Sequence, residues 1–268
     1  MSKTRKFFFI VLGVGCLILI RFFEEHLFYD PYLNFFKNAS NLEYDVIAQL
    51  QALGWEYTLG ENFTPHPESL QRKKLSDVLL LGHLTEAIER LNPGISAIVK
   101  QEAINKLKGF TGDDLAAINA EFHNLLTEGV TVNTTVDGTE RGVIVKVVDF
   151  DNPTKNHLLA VNQFEVKESY GVRRPDLVLF VNGIPLVVIE LKNPTNENTG
   201  VNEAFNQLQT YKREIPSLFH YNGLLVISDG YDARAGSLTA GMSRMSAWKS
   251  KDGITRAGTQ DMMIDIMV

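Results

Sequence analysis

The feature that most constrains this chain is a pair of apolar runs separated by the dipeptide Asn182-Gly183. The runs extend from Asp176 to Val181 and from Ile184 to Leu191, and they are rich in valine, isoleucine and leucine. Asn-Gly favours a two-residue turn because both residues readily adopt positive φ angles. Near-continuous apolar runs of this length indicate strands that are buried on both faces. The sequence therefore predicts a hairpin inside a sheet.

The chain from Asn41 onward surrounds this hairpin with helical and strand patterns. Helical spacing of apolar residues predicts helices over Leu42–Leu53, Leu75–Leu91, Ile95–Leu107, Asp113–Leu126 and Val201–Ile215. Further strands are predicted over Val130–Val136, Gly142–Phe150, Asn162–Glu168 and Leu224–Ser228, the first two joined through Asp137-Gly138. Ser76 and Thr111 are expected to cap the second and fourth helices. The order predicts an α/β fold, a mixed central β-sheet flanked by helices, with an N-terminal helical region.

Composition narrows the classes of function. The 268 residues carry a net charge of −6, the wrong sign for a protein that coats nucleic acid through charge alone. An apolar share of 44% is sufficient for a hydrophobic core. The single cysteine, Cys16, excludes an internal disulfide framework and a Cys-x-x-Cys metal site. The six histidines lack the spacing of zinc ligands.

Three charged residues lie at the open end of the apolar hairpin. Asp176 begins the first strand, and Glu190 and Lys192 end the second. Carboxylates in apolar sequence are costly unless they are paired or metal-bound, and carboxylate oxygens are ligands that Mg²⁺ prefers. Lys192 is two residues beyond Glu190 and so lies on the same strand face, where it can contact an attacking water and the charge developing on a phosphate. The pattern favours metal-dependent cleavage of a phosphodiester.

The same spacing occurs again at Asp151, Glu165 and Lys167. This second set lacks the apolar surroundings, because Asp151 leads into the turn Asn152-Pro153-Thr154 and Glu165 lies in an amphipathic stretch. Spacing alone is therefore a weak signal. We expect the Asp176 set to form the site and the Asp151 set to be solvated surface.

The register of the hairpin imposes a geometric condition on the site. With a two-residue loop and regular pairing, Asp176 would lie opposite Ile189, and Asp176 and Glu190 would point to opposite faces. We therefore expect either a three-residue turn with a bulge at Gly183 or a bend at Asp176. Pro185 donates no backbone hydrogen bond and is expected to mark a bulge or an unpaired edge position.

Residues 1–40 differ in character from the rest. An uninterrupted apolar run, Phe7 to Ile20, follows three basic residues, as in a signal peptide or a membrane anchor. It is shorter than the roughly 20 residues that span a bilayer, and a buried helix is the other interpretation. The stretch Arg21 to Lys37 resembles the start of small membrane proteins that accompany the exosortase F system. We expect this segment to be foreign to the rest of the chain, through gene fusion or a misassembled reading frame.

Four segments of the chain are distinctive when taken together: RLNPGI (Arg90–Ile95), AVNQFEV (Ala160–Val166), RRPDLVLFVNGIPLVVIELKNP (Arg173–Pro194) and GSLTAG (Gly236–Gly241). With them the chain resembles the PD-(D/E)xK nuclease core, specifically the N-terminal domain of type I restriction R (HsdR) subunits. The likeness runs from about Leu42 to Trp248. It implies that Asp176 and Glu190 ligate the metal, that Lys192 is the catalytic lysine, and that Glu43 is the family's upstream helix glutamate.

Candidate substrate contacts come from the resemblance and from nearby charges. The family carries a Gln-x3-Tyr motif, matched here by Gln207 and Tyr211, which are implied to touch the substrate backbone or to orient the site. These two residues lie one turn apart on a helix face, so an ordinary amphipathic helix is the alternative. Arg173 and Arg174 are candidates for phosphate contacts beside the site.

The resemblance also implies a domain plan and partners. Residues 41–245 correspond to the nuclease domain, with a helical part at 70–128 and a catalytic sheet core at 129–230, and 246–268 to a truncated tail. The implied activity is Mg²⁺-dependent cleavage of double-stranded DNA, with Mn²⁺ as a substitute metal, by a cytoplasmic complex with methyltransferase and specificity subunits. Full-length R subunits use ATP, whereas this sequence contains no Gly-x4-Gly-Lys-Ser/Thr loop.

Two alternatives remain open at this point. The chain could be a non-catalytic module that docks the R subunit onto partners or DNA. It could also be a membrane-anchored protein whose role is set by residues 1–40.

Overall fold

The computed structural model of the chain describes residues 8–12, 16–20, 39–136, 139–192 and 200–247. The helices in those ranges are α1 (Ala39–Ala52), α2 (Leu81–Leu91), α3 (Ala97–Lys108), α4 (Leu115–Glu128) and α5 (Gly200–Glu214), with short 3-10 helices at Gly60–Phe63, Pro153–Lys155, Pro216–Tyr221 and Met242–Arg244. The strands are β1 (Phe8–Leu12), β2 (Cys16–Ile20), β3 (Glu56–Leu59), β4 (Val130–Val136), β5 (Thr139–Val145), β6 (Leu158–Asn162), β7 (Val166–Glu168), β8 (Gly171–Arg173), β9 (Leu177–Val181), β10 (Ile184–Leu191), β11 (Leu224–Ser228), β12 (Ala233–Gly236) and β13 (Ser246–Ala247).

Seven strands form one mixed sheet in the order β13-β12-β11-β10-β9-β6-β3. β10 is parallel to β11 and β3 is parallel to β6, whereas the other neighbours are antiparallel. α5 provides the crossover that a parallel pair such as β10 and β11 requires. The predicted fold class, a mixed sheet flanked by helices, is confirmed. The β9–β10 hairpin lies inside the sheet, with β6 and β11 as its outer neighbours.

Both faces of the sheet are covered, and alternate residues of β9 show the division. Leu177 and Leu179 are buried in one hydrophobic cluster with Leu42 and other residues of α1. Val178 and Phe180 are buried in the larger cluster on the other face, which includes residues of α2, α3, α4 and α5. Because side chains alternate along a strand, each residue of the hairpin faces either α1 or the helices on the other side of the sheet. A charged residue therefore contacts one group of helices or the other according to its position in the strand.

The hairpin turn is itself buried. Asn182 and Gly183 have φ angles of 53° and 79°, as a two-residue turn of the Asn-Gly type requires. The carbonyl of Gly183 accepts the N–H of Leu80 at 2.9 Å, and the Asn182 side chain accepts from Arg90 at 3.0 Å and donates to the carbonyl of Val147 at 2.8 Å. The predicted hairpin is confirmed, and its turn is anchored at the start of α2.

The five predicted helices are all present, and one begins later than its apolar pattern indicates. α2 begins at Leu81 instead of Leu75. The Asp77 carboxylate accepts the backbone N–H groups of Lys73 and Lys74, each at 2.9 Å, and this turn replaces the first helical turns. Local side-chain hydrogen bonding of this kind competes with helix formation.

The predicted helix caps are wrong in both cases. α3 is capped by Ser96, whose hydroxyl accepts the N–H of Val99 at 3.3 Å. α4 is capped by Asp114, whose carboxylate accepts two backbone N–H groups. Ser76 precedes a loop and Thr111 lies too far before α4, so neither side chain reaches a free helical N–H.

Most of the predicted strands are present, but two predicted ranges are wrong. The strand predicted over Gly142–Phe150 corresponds to β5, which ends at Val145, and the one predicted over Asn162–Glu168 is broken. The hairpin of β4 and β5 pairs Val136 with Thr139, and Asp137-Gly138 lies outside the described residues. The strand predicted over Asn162–Glu168 is wrong, because Gln163 has a φ of 50° and ends β6; a separate strand, β7, follows. The strands β3, β6, β8, β12 and β13 were not predicted. β6 pairs with β9 inside the main sheet, whereas β3, β12 and β13 lie at its two ends.

The apolar N-terminal run forms two strands where it is described. β1 and β2 pair antiparallel, with Phe8 opposite Ile20 and Leu12 opposite Cys16, so the interpretation of this run as one helix is wrong. Among the helices of the described residues, none has the length and hydropathy needed to cross a membrane. The stretch Arg21–Lys37, which carries the exosortase F resemblance, and residues 248–268 lie outside the described residues.

Candidate active site

A bulge in β10 brings Asp176 and Glu190 onto one face. The register begins as a regular two-residue hairpin, with Ile184 opposite Val181 and Pro185 opposite Phe180, and then shifts so that Val187 is opposite Leu179 and Ile189 opposite Leu177. The extra residue is Leu186, whose carbonyl accepts the N–H of Gly223 at 2.7 Å. The next pair of positions along the strands is Asp176 and Glu190. The expected three-residue turn or bend at Asp176 is wrong, whereas Pro185 does mark a bulge as predicted.

Glu190 is a fully buried carboxylate close to the Tyr211 hydroxyl, and one of its oxygens has no hydrogen bond of normal geometry. Its side chain is 0% exposed, Oε1 accepts from Lys192 Nζ at 3.1 Å, and Oε2 is the oxygen without such a bond. Burial, and then the charge of Asp176, raise the pKa of Glu190 to about 8. A carboxylate in this condition is stabilised by a bound cation or by a proton.

Asp176 is held in place through both carboxylate oxygens. Oδ2 accepts the backbone N–H of Leu191 at 2.8 Å, and Oδ1 accepts the Gln163 side-chain amide at 3.2 Å. Burial raises the pKa of Asp176, an effect opposed by the Leu191 hydrogen bond and by the charge of Lys192. The backbone bond to Leu191 ties the start of β9 directly to the end of β10, which fixes the spacing of the two carboxylates.

Lys192 is oriented by a chain of hydrogen bonds that ends on α5. Its ammonium group donates to Gln207 Oε1 as well as to Glu190, and Gln207 Nε2 donates to the hydroxyl of Tyr211. Tyr211 is buried, and burial together with the nearby charge of Glu190 raises its pKa. The Gln-x3-Tyr pair therefore holds the lysine beside Glu190, and does not simply form the surface of an amphipathic helix.

Glu43 reaches the same site from the opposite layer. It lies near the start of α1, which packs on the other face of the sheet, and Gln163 Nε2 lies 3.5 Å from its Oε2. Its Oε1 is buried without a hydrogen-bond partner, and burial raises its pKa. The structure thus brings Glu43, Asp176, Glu190, Lys192 and the Gln-x3-Tyr pair into one connected cluster.

Gln163 is a site residue that the sequence reasoning missed. Gln163 follows the last residue of β6 and has a left-handed backbone conformation. At this end of the strand its side-chain amide connects Asp176 with Glu43. Gly60 packs against this turn so closely that an added Cβ would lie 2.4 Å from the carbonyl oxygen of Gln163. The sequence offered one signal for Gln163, because the segment Ala160–Val166 carries part of the family resemblance. The alternation of polar and apolar residues in this segment instead indicated an uninterrupted strand.

Arg173 and Arg174 lie beside the cluster, each engaged in an ion pair. Arg173 pairs with Glu214 and Arg174 with Glu165. Both arginines line an open depression of about 510 Å³ along α5, which also includes Gln207 and Tyr211. They are therefore adjacent to the site without contacting its carboxylates.

The second Asp-Glu-Lys set does not form a site. Asp151 is exposed in a turn, Lys167 is exposed on β7, and the Glu165 carboxylate is paired with Arg174. Among the residues that the structure describes, no three His, Cys, Asp or Glu side chains converge closely enough to form a preformed metal cage. The Asp176 cluster is instead a pair of carboxylates with a lysine.

A mixed sheet whose inner hairpin places an Asp and a Glu-x-Lys on one face is the arrangement of the restriction-endonuclease-like, PD-(D/E)xK class. Comparison with known sequences identifies the family: the chain belongs to the family described as "Type I restriction enzyme R protein N terminus", whose model matches residues 39–244. The match spans α1 to the last 3-10 helix and so includes every residue of the cluster.

Named relatives agree with this family. The chain is 41% identical over 216 residues to the "Type I restriction enzyme HindI endonuclease subunit" of Haemophilus influenzae, covering 80% of this chain and 20% of that protein. It is 33% identical over 222 residues to the "Putative type I restriction enzyme MjaIXP endonuclease subunit" of Methanocaldococcus jannaschii, covering 80% and 21%. The chain matches about a fifth of the length of each of these relatives.

Proposed function

We propose that this chain is the nuclease part of a type I restriction R subunit and hydrolyses DNA phosphodiesters with a divalent metal, Mg²⁺ or Mn²⁺. The observation that carries the proposal is the buried Glu190 carboxylate, opposite Asp176 and beside Lys192, with one oxygen lacking a hydrogen bond of normal geometry. Membership of the restriction R family supports it. The residue assignments are part of the proposal.

The residues present suit a hard divalent cation. Asp176 and Glu190 would hold it, since Glu190 Oε2 is buried without a hydrogen bond of normal geometry and both carboxylates face the same side of the sheet. Mg²⁺ is commonly held by one or two carboxylates together with waters and substrate phosphate oxygens, and does not need a cage of protein ligands. When bound, the ion supplies positive charge beside the phosphate and lowers the pKa of a coordinated water. Glu43 adds negative charge close to Asp176.

Hydrolysis of a phosphodiester joins a water oxygen to phosphorus, breaks one bridging P–O bond and leaves a proton on the departing oxygen. Lys192 is the group of this chain best positioned to act on that reaction, because its ammonium is held beside Glu190 by Gln207. There it can donate to the attacking water or to a non-bridging phosphate oxygen and stabilise the charge that develops. Tyr211 fixes Gln207 and so positions the lysine.

The wider biology derives from the family and belongs to the same proposal. The substrate is double-stranded DNA, the partners are the methyltransferase and specificity subunits of a type I complex, and the location is the cytoplasm, where that complex meets DNA. ATP use is assigned to complete R subunits, since this sequence has no Gly-x4-Gly-Lys-Ser/Thr loop. Residues 41–245 form the nuclease domain in this proposal, and residues 1–40 are a separate segment.

The test is nicking of supercoiled plasmid by the full chain with Mg²⁺ or Mn²⁺, compared between Lys192→Ala and Lys167→Ala. Lys167 is the matched control because it is the exposed lysine of the second Glu-x-Lys sequence. Metal-dependent nicking that disappears in Lys192→Ala and persists in Lys167→Ala is expected.

Other results separate the alternatives. Equal nicking by both variants would remove Lys192 from the mechanism. Folded protein that binds DNA but neither binds Mn²⁺ nor nicks plasmid would favour the docking module in place of the nuclease.

A further inference from the structure

A second depression opens beside the cluster, and none of its lining residues belongs to α5. Its volume is about 700 Å³, and it lies between the loop after β3, the segment Arg72–Leu75 and the end of β6. Gln163, which donates to Asp176, is one of its lining residues. Arg174 lines both this depression and the one along α5. Two grooves therefore adjoin the site, and apart from Gln163 the residues of the second groove have no part in the chemistry described above.

The second groove is positively charged in a chain that is negative overall. Its charged lining residues are four basic and two acidic: Arg72, Lys73, Lys74 and Arg174 against Glu61 and Glu165. Arg174 is paired with Glu165 and Arg72 is buried, so the exposed positive charge of the groove comes from Lys73 and Lys74. The whole chain has a net charge of −6. Local clusters of basic side chains in a concave surface focus positive potential, which attracts a polyanion.

Lys73 and Lys74 lie on a turn whose backbone is fixed. The Asp77 carboxylate accepts both of their N–H groups at 2.9 Å, and the hydroxyl of Ser69 accepts the N–H of Arg72 at 3.1 Å. Both lysine side chains are exposed, and although Lys73 also donates to the carbonyl of Pro67, an ammonium group has two further donors. The turn therefore presents two cations without further ordering of the backbone.

Arg72 ties this turn to the strand that carries the site. It is 1% exposed, and its guanidinium lies 4.1 Å from the ring centroid of Phe164. The same group donates to the carbonyls of Leu75 at 2.7 Å and Glu165 at 2.9 Å. Because Phe164 comes directly after Gln163, the position of the lysines relative to Asp176 is set by a buried contact.

We propose that this groove binds the phosphate backbone of duplex DNA on one side of the cleaved bond, with Lys73 and Lys74 as its phosphate contacts. The inference rests on the proposed nuclease function. Phosphate contacts from lysine set the position of a duplex without reading its sequence. Cleavage at the carboxylates would then take place on DNA already held by this turn.

The experiment measures binding of a short fluorescein-labelled DNA duplex by fluorescence anisotropy, with Ca²⁺ in place of Mg²⁺, over a series of salt concentrations. It compares the full wild-type chain, Lys73→Ala/Lys74→Ala, and Lys106→Ala/Lys108→Ala. The last pair is the control: it removes the same charge from α3, outside both grooves. The groove variant should bind on the order of 10-fold more weakly, and its slope of log affinity against log salt should be smaller by about two, since each lost phosphate contact removes about 0.9.

The outcomes are distinguishable from those of the nuclease test. Loss of affinity and slope in the groove variant alone supports the groove. Equal behaviour of the two double variants overturns it, and so does wild-type protein that does not bind the duplex even at low salt. Plasmid nicking by wild type, scored separately, decides whether the nuclease proposal stands in either case.

Discussion

The side-chain amide of Gln163 donates to Asp176 Oδ1 at 3.2 Å and lies 3.5 Å from Oε2 of Glu43. One residue therefore connects a carboxylate of the sheet with a carboxylate of α1, across the end of the sheet. It is held there by a left-handed backbone with a φ of 50° and by the close packing of Gly60.

Gln163→Ala is expected to lower the rate of metal-dependent plasmid nicking by roughly 10-fold, in the range found for residues that orient metal ligands. The global stability should change little because the side chain is exposed. Nicking time courses and urea unfolding curves measure the two effects. Gln101→Ala on α3, which removes another exposed glutamine, is the control and should leave nicking unchanged. A Gln163→Ala protein as active as wild type would remove this residue from the site.

Tyr211→Phe removes the hydroxyl that accepts from Gln207 and so loosens the support of Lys192. We expect nicking to fall by roughly 10-fold, because small displacements of a catalytic group are costly to rate, while Mn²⁺ affinity is retained. Isothermal titration and nicking assays give both values. Tyr221→Phe is the matched control, since its hydroxyl donates to the carbonyl of Leu107 at 2.9 Å away from the site; that variant should lose stability and retain specific activity.

Gly183→Ala should destabilise the fold by about 3 kcal/mol, the combined effect of an unfavourable backbone region and a steric clash. Gly183 has a φ of 79°, and an added Cβ would lie 2.4 Å from the carbonyl oxygen of Leu80. Gly54→Ala separates the two causes. Gly54 has a φ of 94° with nothing within 4 Å of the added atom, so its cost should be only roughly 1–2 kcal/mol. If the two variants lost equal amounts of unfolding free energy, the close contact between Gly183 and Leu80 would make no contribution to the cost.

The stacked rings of His83 and His157, with centroids 4.5 Å apart, make stability depend on pH. Burial, and then the neighbouring His157, lower the pKa of His83 below its ordinary value of 6.5, against the opposing charges of Glu86 and Glu56. A lowered histidine pKa means that the unfolded chain binds the proton more readily, so this stabilisation is present above pH 6.5 and is lost as pH falls below it.

His83→Gln should therefore show a smaller loss of stability than wild type between about pH 7 and pH 5. Denaturant unfolding across that range measures it. His66→Gln, at an exposed position, should follow the wild-type curve. Because His123 and His220 also have lowered pKa values, His83→Gln should reduce the pH dependence without removing it; an unchanged curve would show that the histidine pair does not contribute.

The central hairpin and its three charged residues were predictable from sequence because their signals are local. An Asn-Gly dipeptide between apolar runs specifies the turn, and charges in such runs mark a site. The rival set at Asp151 has identical spacing, and only its surroundings distinguished it. Local sequence therefore selected the three charged residues that the structure brings together, although not how the register does so.

The features that were missed depend on contacts between distant parts of the chain. The bulge at Leu186 is supported by the N–H of Gly223, and the break at Gln163 by the packing of Gly60. Neither partner lies within the segment that it shapes. The late start of α2 has a nearer cause, the Asp77 turn, but its amphipathic pattern extends through the turn and conceals the boundary.

Because side chains alternate between the two faces of a strand, the number of residues between Asp176 and Glu190 decides whether their carboxylates share a face. The extra residue in β10 gives the number that places them together. Removing one residue from this strand would rotate the Glu-x-Lys pair through the sheet into the layer beneath α1, where it would meet Leu177 and Leu179. Inserting one residue between Asp176 and the bulge would separate the two carboxylates in the same way, whereas a symmetrical lengthening of both strands by one residue each would not. If Asp176 and Glu190 hold the metal as proposed, natural relatives that cleave DNA should differ in this hairpin by even numbers of residues or not at all. A single-residue gap there would then mark a relative whose two carboxylates no longer share a face.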